Sequence, residues 1–128
     1  MTGELTVLAL SGLLIILVIF FETGLSIAQL GDAYMRSPRD EKREKTGMAG
    51  RSERAVLNCA IGLALFAPAI LILAVTDGFT GTTLAAAWVY LITRVIYVIC
   101  YVMGIPTIRT LAFVTGLLST GLLYLLAL

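Results

Sequence analysis

The sequence predicts an all-α integral membrane protein: a four-helix bundle formed by a single membrane domain over residues 1–128. Three observations carry that expectation. The chain is 59% hydrophobic and only 13% charged, with a mean hydropathy of +1.00, outside the range of soluble domains. Four apolar runs, over about 5–30, 55–76, 83–103 and 108–128, each supply the roughly 20 residues that a helix rising about 1.5 Å per residue needs to cross a core about 30 Å thick. Seven of the nine basic residues, Arg36, Arg39, Lys42, Arg43, Lys45, Arg51 and Arg54, fall between the first two runs. By the positive-inside rule that segment, 31–54, is cytoplasmic and both termini lie on the other side.

The first run opens with Glu4 in place of a basic n-region and continues past signal-peptide length without a small-residue cleavage site, so it is expected to remain as a helix. Ser11, Glu22, Ser26 and Gln29 share one of its faces. Glu22 sits well inside the span, where a carboxylate is costly unless it is paired or reaches water. Either it lifts its head to the lipid head groups or it faces protein. The polar stretch from Gly31 to Glu53 contains Pro38, Gly47 and Gly50 as expected helix breakers. It reads as a solvated, lipid-facing basic loop or as a cap over a cytoplasm-facing pocket.

The second helix is expected from about Arg54, with Arg54, Asn58, Ile61 and Leu65 on one face. Asn58 is a carboxamide one turn into the span and needs a partner from another helix or a ligand. Pro68 is expected to kink this helix, and Ala60 and Ala64 offer small surfaces for packing. Asp77 and Gly78 turn the chain into the third helix.

The third helix carries a polar stripe. Tyr90, Arg94, Tyr97 and Tyr101 recur at spacings of four, three and four, which places them on one face at about 100° per residue. Arg94 lies ten residues before Gly104, about 15 Å deep at about 1.5 Å per residue, where an arginine costs roughly 2.5–3.5 kcal/mol on insertion scales. It is expected to face the interior, either in a structural ion pair with Glu22 or as a charge for an anionic ligand. Gly104 and Pro106 read as a helix stop and a helix start, giving a tight hairpin. Arg109 then falls in the first turn of the fourth helix, and Arg54 in that of the second. Each is a cation at an already positive helix end, so an anion is expected nearby: a ligand carboxylate or thiolate, or a lipid phosphate. Ala112, Gly116 and Thr120 suggest close packing of the fourth helix. Cys59 and Cys100 read as buried small hydrophobes. There is no histidine, no metal motif, and no feature that suggests a nucleic-acid partner.

Two blocks, PRDEKREKTGMAGRSERAVLN (38–58) and RVIYVICYVMGIPTIRT (94–110), resemble the loop with second-helix opening and the third helix with hairpin of the MAPEG family, the membrane-associated proteins in eicosanoid and glutathione metabolism, in particular its small bacterial branch. The resemblance implies a homotrimer of four-helix bundles in the bacterial inner membrane, with glutathione held near the cytoplasmic side at the subunit boundaries. It implies that Arg109 stabilises the glutathione thiolate, and that Arg54, Asn58, Arg94, Tyr97 and Tyr101 contact glutathione. The chain departs from the family pattern at Ile61, where a glutamate is usual, at Ala64, where a proline is usual, and at Val56, commonly histidine or glutamine. The missing glutamate leaves Arg94 short of a partner, and Glu22, at similar depth, is expected to take its place and join the glutathione-binding residues.

Two functions follow. One is a glutathione transferase or peroxidase acting on lipophilic electrophiles taken from the bilayer. The other is a non-catalytic membrane subunit that binds membrane lipids or packs in a larger membrane complex. A small four-helix exporter fits poorly, because so much of the chain is given to one charged loop.

Overall fold

The computed structural model describes all residues, 1–128. It contains five helices: α1 (Gly3–Leu30), α2 (Asp32–Arg36), α3 (Gly47–Val75), α4 (Gly81–Met103) and α5 (Pro106–Ala127). Four of them, all but α2, are long and apolar enough to cross a membrane. They alternate in direction, so both termini and the Asp77 turn lie at one end and the basic loop and the Gly104 turn at the other.

α3 and α4 form the centre of the bundle. α1 packs on both and α5 packs on both, while the backbones of α1 and α5 stay apart. Only 29 of 128 residues are buried, and the outer surfaces of the helices carry large apolar side chains such as Phe20, Leu57, Ile99 and Leu118. A bundle whose exterior is as apolar as its interior gains little from the hydrophobic effect, and depends on close packing and interhelical hydrogen bonds.

The main core, Val7, Phe66, Ala69, Ile70, Leu73, Ala86, Ala87, Tyr90, Leu91 and Leu123, fills the Asp77 half. Within it the rings of Phe66 and Tyr90 stack 4.0 Å apart. The loop half has only the small cluster of Cys59, Tyr97 and Ala112; there, side chains that carry charge and hydrogen-bonding groups take up the space between helices.

α3 begins earlier than expected from the apolar pattern. Gly47 opens the helix at φ 57, and Gly50 lies buried within the first turn. A Cβ at Gly50 would lie 2.9 Å from the Lys45 carbonyl oxygen, so this glycine permits the close approach of the incoming loop rather than breaking the helix. At 29 residues, α3 measures about 44 Å at about 1.5 Å per residue, and its first two turns extend beyond the apolar run. Ala60 and Ala64 are exposed, whereas Gly62 is buried; the small residue that lets α4 approach is the glycine.

α3 runs on through Pro68. Proline has no N–H for the ladder and its ring crowds the preceding turn, leaving carbonyls there short of donors. Tyr124 of α5 donates from its hydroxyl to the Leu65 carbonyl, next to that orphaned turn, at 2.6 Å. Gly104 ends α4 in the left-handed region at φ 77. The Ile105 N–H donates to the Cys100 carbonyl (2.8 Å) and that of Gly104 to Tyr101 (3.1 Å), closing the helix before Pro106 starts α5. Ala112, Gly116 and Thr120 are buried on the packed face of α5, and a Cβ at Gly116 would come within 2.9 Å of Thr93 Oγ1.

At the Asp77 end a polar contact ties α1 to α4. Glu4 is 4% exposed and its Oε1 lies 2.8 Å from Thr83 Oγ1. Thr83 also accepts from the Thr80 N–H at 2.7 Å within the capping box of α4. Replacing Thr83 with valine removes the only protein hydrogen-bond partner of a buried carboxyl, and should lower stability by about 1–3 kcal/mol. Thr83→Ser should retain most of it. Thermal unfolding of the two variants in detergent checks this.

Candidate functional site

The polar stripe of α4 meets α3 and α5 at the loop end. Asn58 of α3, Tyr97 and Tyr101 of α4, and Arg109, Thr110 and Phe113 of α5 line a hollow of about 270 Å³. Tyr101 is its organising side chain. Arg54 Nε donates to Tyr101 Oη at 3.0 Å, with its Cζ 5.8 Å from the ring centre, and Arg109 Cζ stands 4.8 Å from the same ring. The negative face of an aromatic ring stabilises a nearby guanidinium; one ring here gathers two.

Tyr97 continues the series inward. Its ring meets Tyr101 edge-on at 5.5 Å and Phe113 at 6.0 Å. Arg94 Cζ lies 5.1 Å from the Tyr97 ring and 5.5 Å from Tyr90. Arg94 is 5% exposed, has no ion-pair partner, and its Nη1 has no hydrogen-bond partner. Room for this guanidinium comes from Gly62: a Cβ there would lie 2.5 Å from Arg94 Nη2 and 2.9 Å from Cζ.

The expected Glu22–Arg94 pair does not form within the chain. Glu22 Oε1 accepts from Ser26 Oγ, one turn along α1, at 2.6 Å, and from Lys45 Nζ at 2.6 Å. Lys45 also reaches Glu53 at 3.1 Å. Equal depth did not imply proximity, because the early start of α3 brings the end of the loop back against α1 and delivers a closer cation. Both side chains of the Glu22–Lys45 pair are largely covered, at 13% and 17% exposure. Burial by itself lowers the Lys45 pKa, but the hydrogen bonds and charges of Glu22 and Glu53 outweigh it and hold the ammonium above its ordinary value.

Of the residues expected to form the site, the structure brings Arg54, Asn58, Tyr97, Tyr101 and Arg109 together, sets Arg94 one turn deeper, and holds Glu22 with Lys45. Asn58 lines the hollow. Ile61 is 55% exposed, on the outer surface of the chain rather than in the hollow. Thr110, Phe113 and Gly62 were not expected. Helical spacing from Arg109 would have found Phe113, and Gly62 lies one turn on from Asn58.

No carboxylate lines the hollow. It holds Arg109 in the first turn of α5, where unpaired helix N–H groups add positive potential, and it adjoins Arg54. Such a place stabilises an anion and lowers the pKa of a thiol.

Two outcomes test this geometry. Gly62→Ala should destabilise the protein by about 1–3 kcal/mol through overpacking, and the loss should shrink when Arg94 is changed to Met in the same chain; a double-mutant cycle on thermal midpoints reads this coupling. Lys45→Gln strands Glu22 and should lower the midpoint at neutral pH. Because the Lys45 pKa is raised on folding, its contribution is present below the unfolded value of 10.5 and is lost as pH rises through the higher folded value. The gap between wild type and variant should therefore persist through neutral pH and close in strong alkali, as a pH series of melting curves would record.

No curated protein matches the chain. The model of the MAPEG family matches residues 7–128, nearly the whole chain. The chain therefore belongs to the MAPEG family, as an integral membrane four-helix bundle of the glutathione and eicosanoid metabolism group.

Proposed function

We propose that this protein binds glutathione at the loop end of the bundle and uses it on lipophilic electrophiles drawn from the bilayer, as a transferase or peroxidase. The observation that carries the reading is the convergence of Asn58, Tyr97, Tyr101 and Arg109 on one hollow free of carboxylates, with Arg54 bonded to Tyr101 at its edge. Bound there, glutathione supplies the thiolate for attack or reduction. Arg109 stabilises the negative charge on sulfur, while Arg54 and Asn58 hold the peptide's carboxylate and amide groups. Tyr101 keeps the two guanidiniums apart and oriented. Arg94 offers an unpaired N–H for an anionic group that reaches past Tyr97.

The hollow in one chain, about 270 Å³, lies just below the range of about 300–1,000 Å³ usual for small-molecule sites. MAPEG proteins are generally oligomers in the membrane. A homotrimer in which a neighbouring copy closes the hollow supplies the rest of the volume, and the exposed Ile61 surface is available for that contact. The seven basic residues between 31 and 54 support a reading in which the site faces the cytoplasm across a bacterial inner membrane.

Ile61 favours a second reading. With the family's glutamate replaced by an apolar side chain, the same bundle serves as a non-catalytic subunit that binds lipid or packs in a larger membrane complex.

Calorimetry of glutathione with the purified protein separates the two. The first reading expects micromolar to low-millimolar binding that weakens at least about tenfold in Arg109→Ala, the equivalent of one charge-assisted hydrogen bond. Thiolate absorbance of the bound ligand should titrate below the free thiol value of about 8.5. Absence of binding at several millimolar overturns the enzyme reading in favour of the second.

A further inference from the structure

A second cavity lies under the basic loop, at the end of the bundle where α1 finishes and α3 begins. It measures about 470 Å³ and its lining includes five cations, Arg39, Lys42, Arg43, Lys45 and Arg54, against two carboxylates, Glu44 and Glu53. It shares no lining residue with the hollow around Arg109.

Two of the cations are already paired. Arg43 lies 3.3 Å from Glu41, and Lys45 is held between Glu22 and Glu53. Arg39, Lys42 and Arg54 make no ion pair, so the cavity keeps an excess of positive charge.

The loop that holds these charges together is built, not loose. Thr46 N–H donates to Gln29 Oε1 at 2.9 Å, and Gln29 Nε2 donates back to the Thr46 carbonyl and hydroxyl, each at 3.1 Å. Tyr34 Oη donates to the Glu41 carbonyl at 2.8 Å and accepts from the Arg43 N–H at 3.0 Å. Arg43 lies 4.7 Å from the Tyr34 ring and donates to the Leu30 carbonyl at 3.2 Å. Ordering a loop costs conformational entropy, and confining like charges around one cavity costs Coulomb energy. An anion within the cavity would offset both costs.

We propose that this cavity binds a phosphate-bearing anion. Lys42, whose ammonium makes no hydrogen bond or ion pair in the chain, and Arg39, which donates from Nε and Nη2 to the Met35 carbonyl but makes no ion pair, match the several oxygens of a phosphomonoester better than a single carboxylate, because charge-assisted donors on two side chains can each engage an oxygen. The cavity stands at the end of membrane-spanning α1, whose last residue, Leu30, lines it. The phosphate belongs either to an anionic phospholipid whose tails stay in the bilayer or to a soluble phosphomonoester.

Native mass spectrometry of the full-length protein in detergent tests this, comparing phosphatidic acid with phosphatidylcholine of matched chains. Wild type should retain phosphatidic acid preferentially. Each of Arg39→Gln and Lys42→Gln should reduce that preference by about fivefold, the usual contribution of one basic residue near a charged head group, with the thermal midpoint unchanged. Arg39→Lys, which keeps the charge and loses the fork, should fall between. Displacement of the lipid by excess glycerol 3-phosphate supports the site with a soluble source; charge-dependent retention without displacement supports it with a lipid source. If Arg39→Gln alters the loop, Lys42→Gln alone decides, since the Lys42 side chain makes no hydrogen bond or ion pair in the chain. Equal retention of both lipids by wild type with no glycerol 3-phosphate adduct, or a preference untouched by the substitutions, overturns the proposal.

Discussion

A buried guanidinium without a carboxylate governs the loop half of this bundle. Arg94 is inside the helices, where a cation is expensive, and the fold meets that cost with geometry. Gly62 removes a side chain from α3 so that the guanidinium fits, and Tyr90 and Tyr97 present their rings to it. The spacing that puts those tyrosines beside Arg94 also carries Tyr101 to the membrane surface, where Arg54 and Arg109 gather. The site is thus the outer end of a series that begins at the arginine in the bundle's interior.

The two halves of the molecule divide the work. The Asp77 half is closed by apolar packing around stacked Phe66 and Tyr90 and tied across α1 and α4 by Glu4 and Thr83. The loop half is held by charge and hydrogen bonds, with Lys45 fixing the loop to α1 and α3. A packed far end leaves the near end free to keep hollows, because rigidity there does not depend on filling every space.

Much of the candidate site was legible in the sequence because helical spacing is a one-dimensional property. Tyr97 and Tyr101 had to share a face with Arg94, and Gly104 with Pro106 had to return the chain so that Arg109 faced that stripe. The partner of Glu22 was not legible. Spacing gives depth along a helix axis and says nothing of lateral position, so a lysine in the loop could not be ranked against Arg94. Ala60 and Ala64 misled in the same way: small residues are visible in a sequence, but which of them faces a neighbour depends on how the helix is rotated.

The sequence by itself determined a membrane bundle of four spans, the polar stripe of α4 and the hairpin that follows it, since length, hydropathy and period are local quantities. Only the tertiary structure decided that α3 begins at Gly47, that Lys45 rather than Arg94 holds Glu22, and that Gly62 makes room for Arg94. Those outcomes depend on lateral distances and rotation between helices, which are settled when side chains compete for the same space and no earlier.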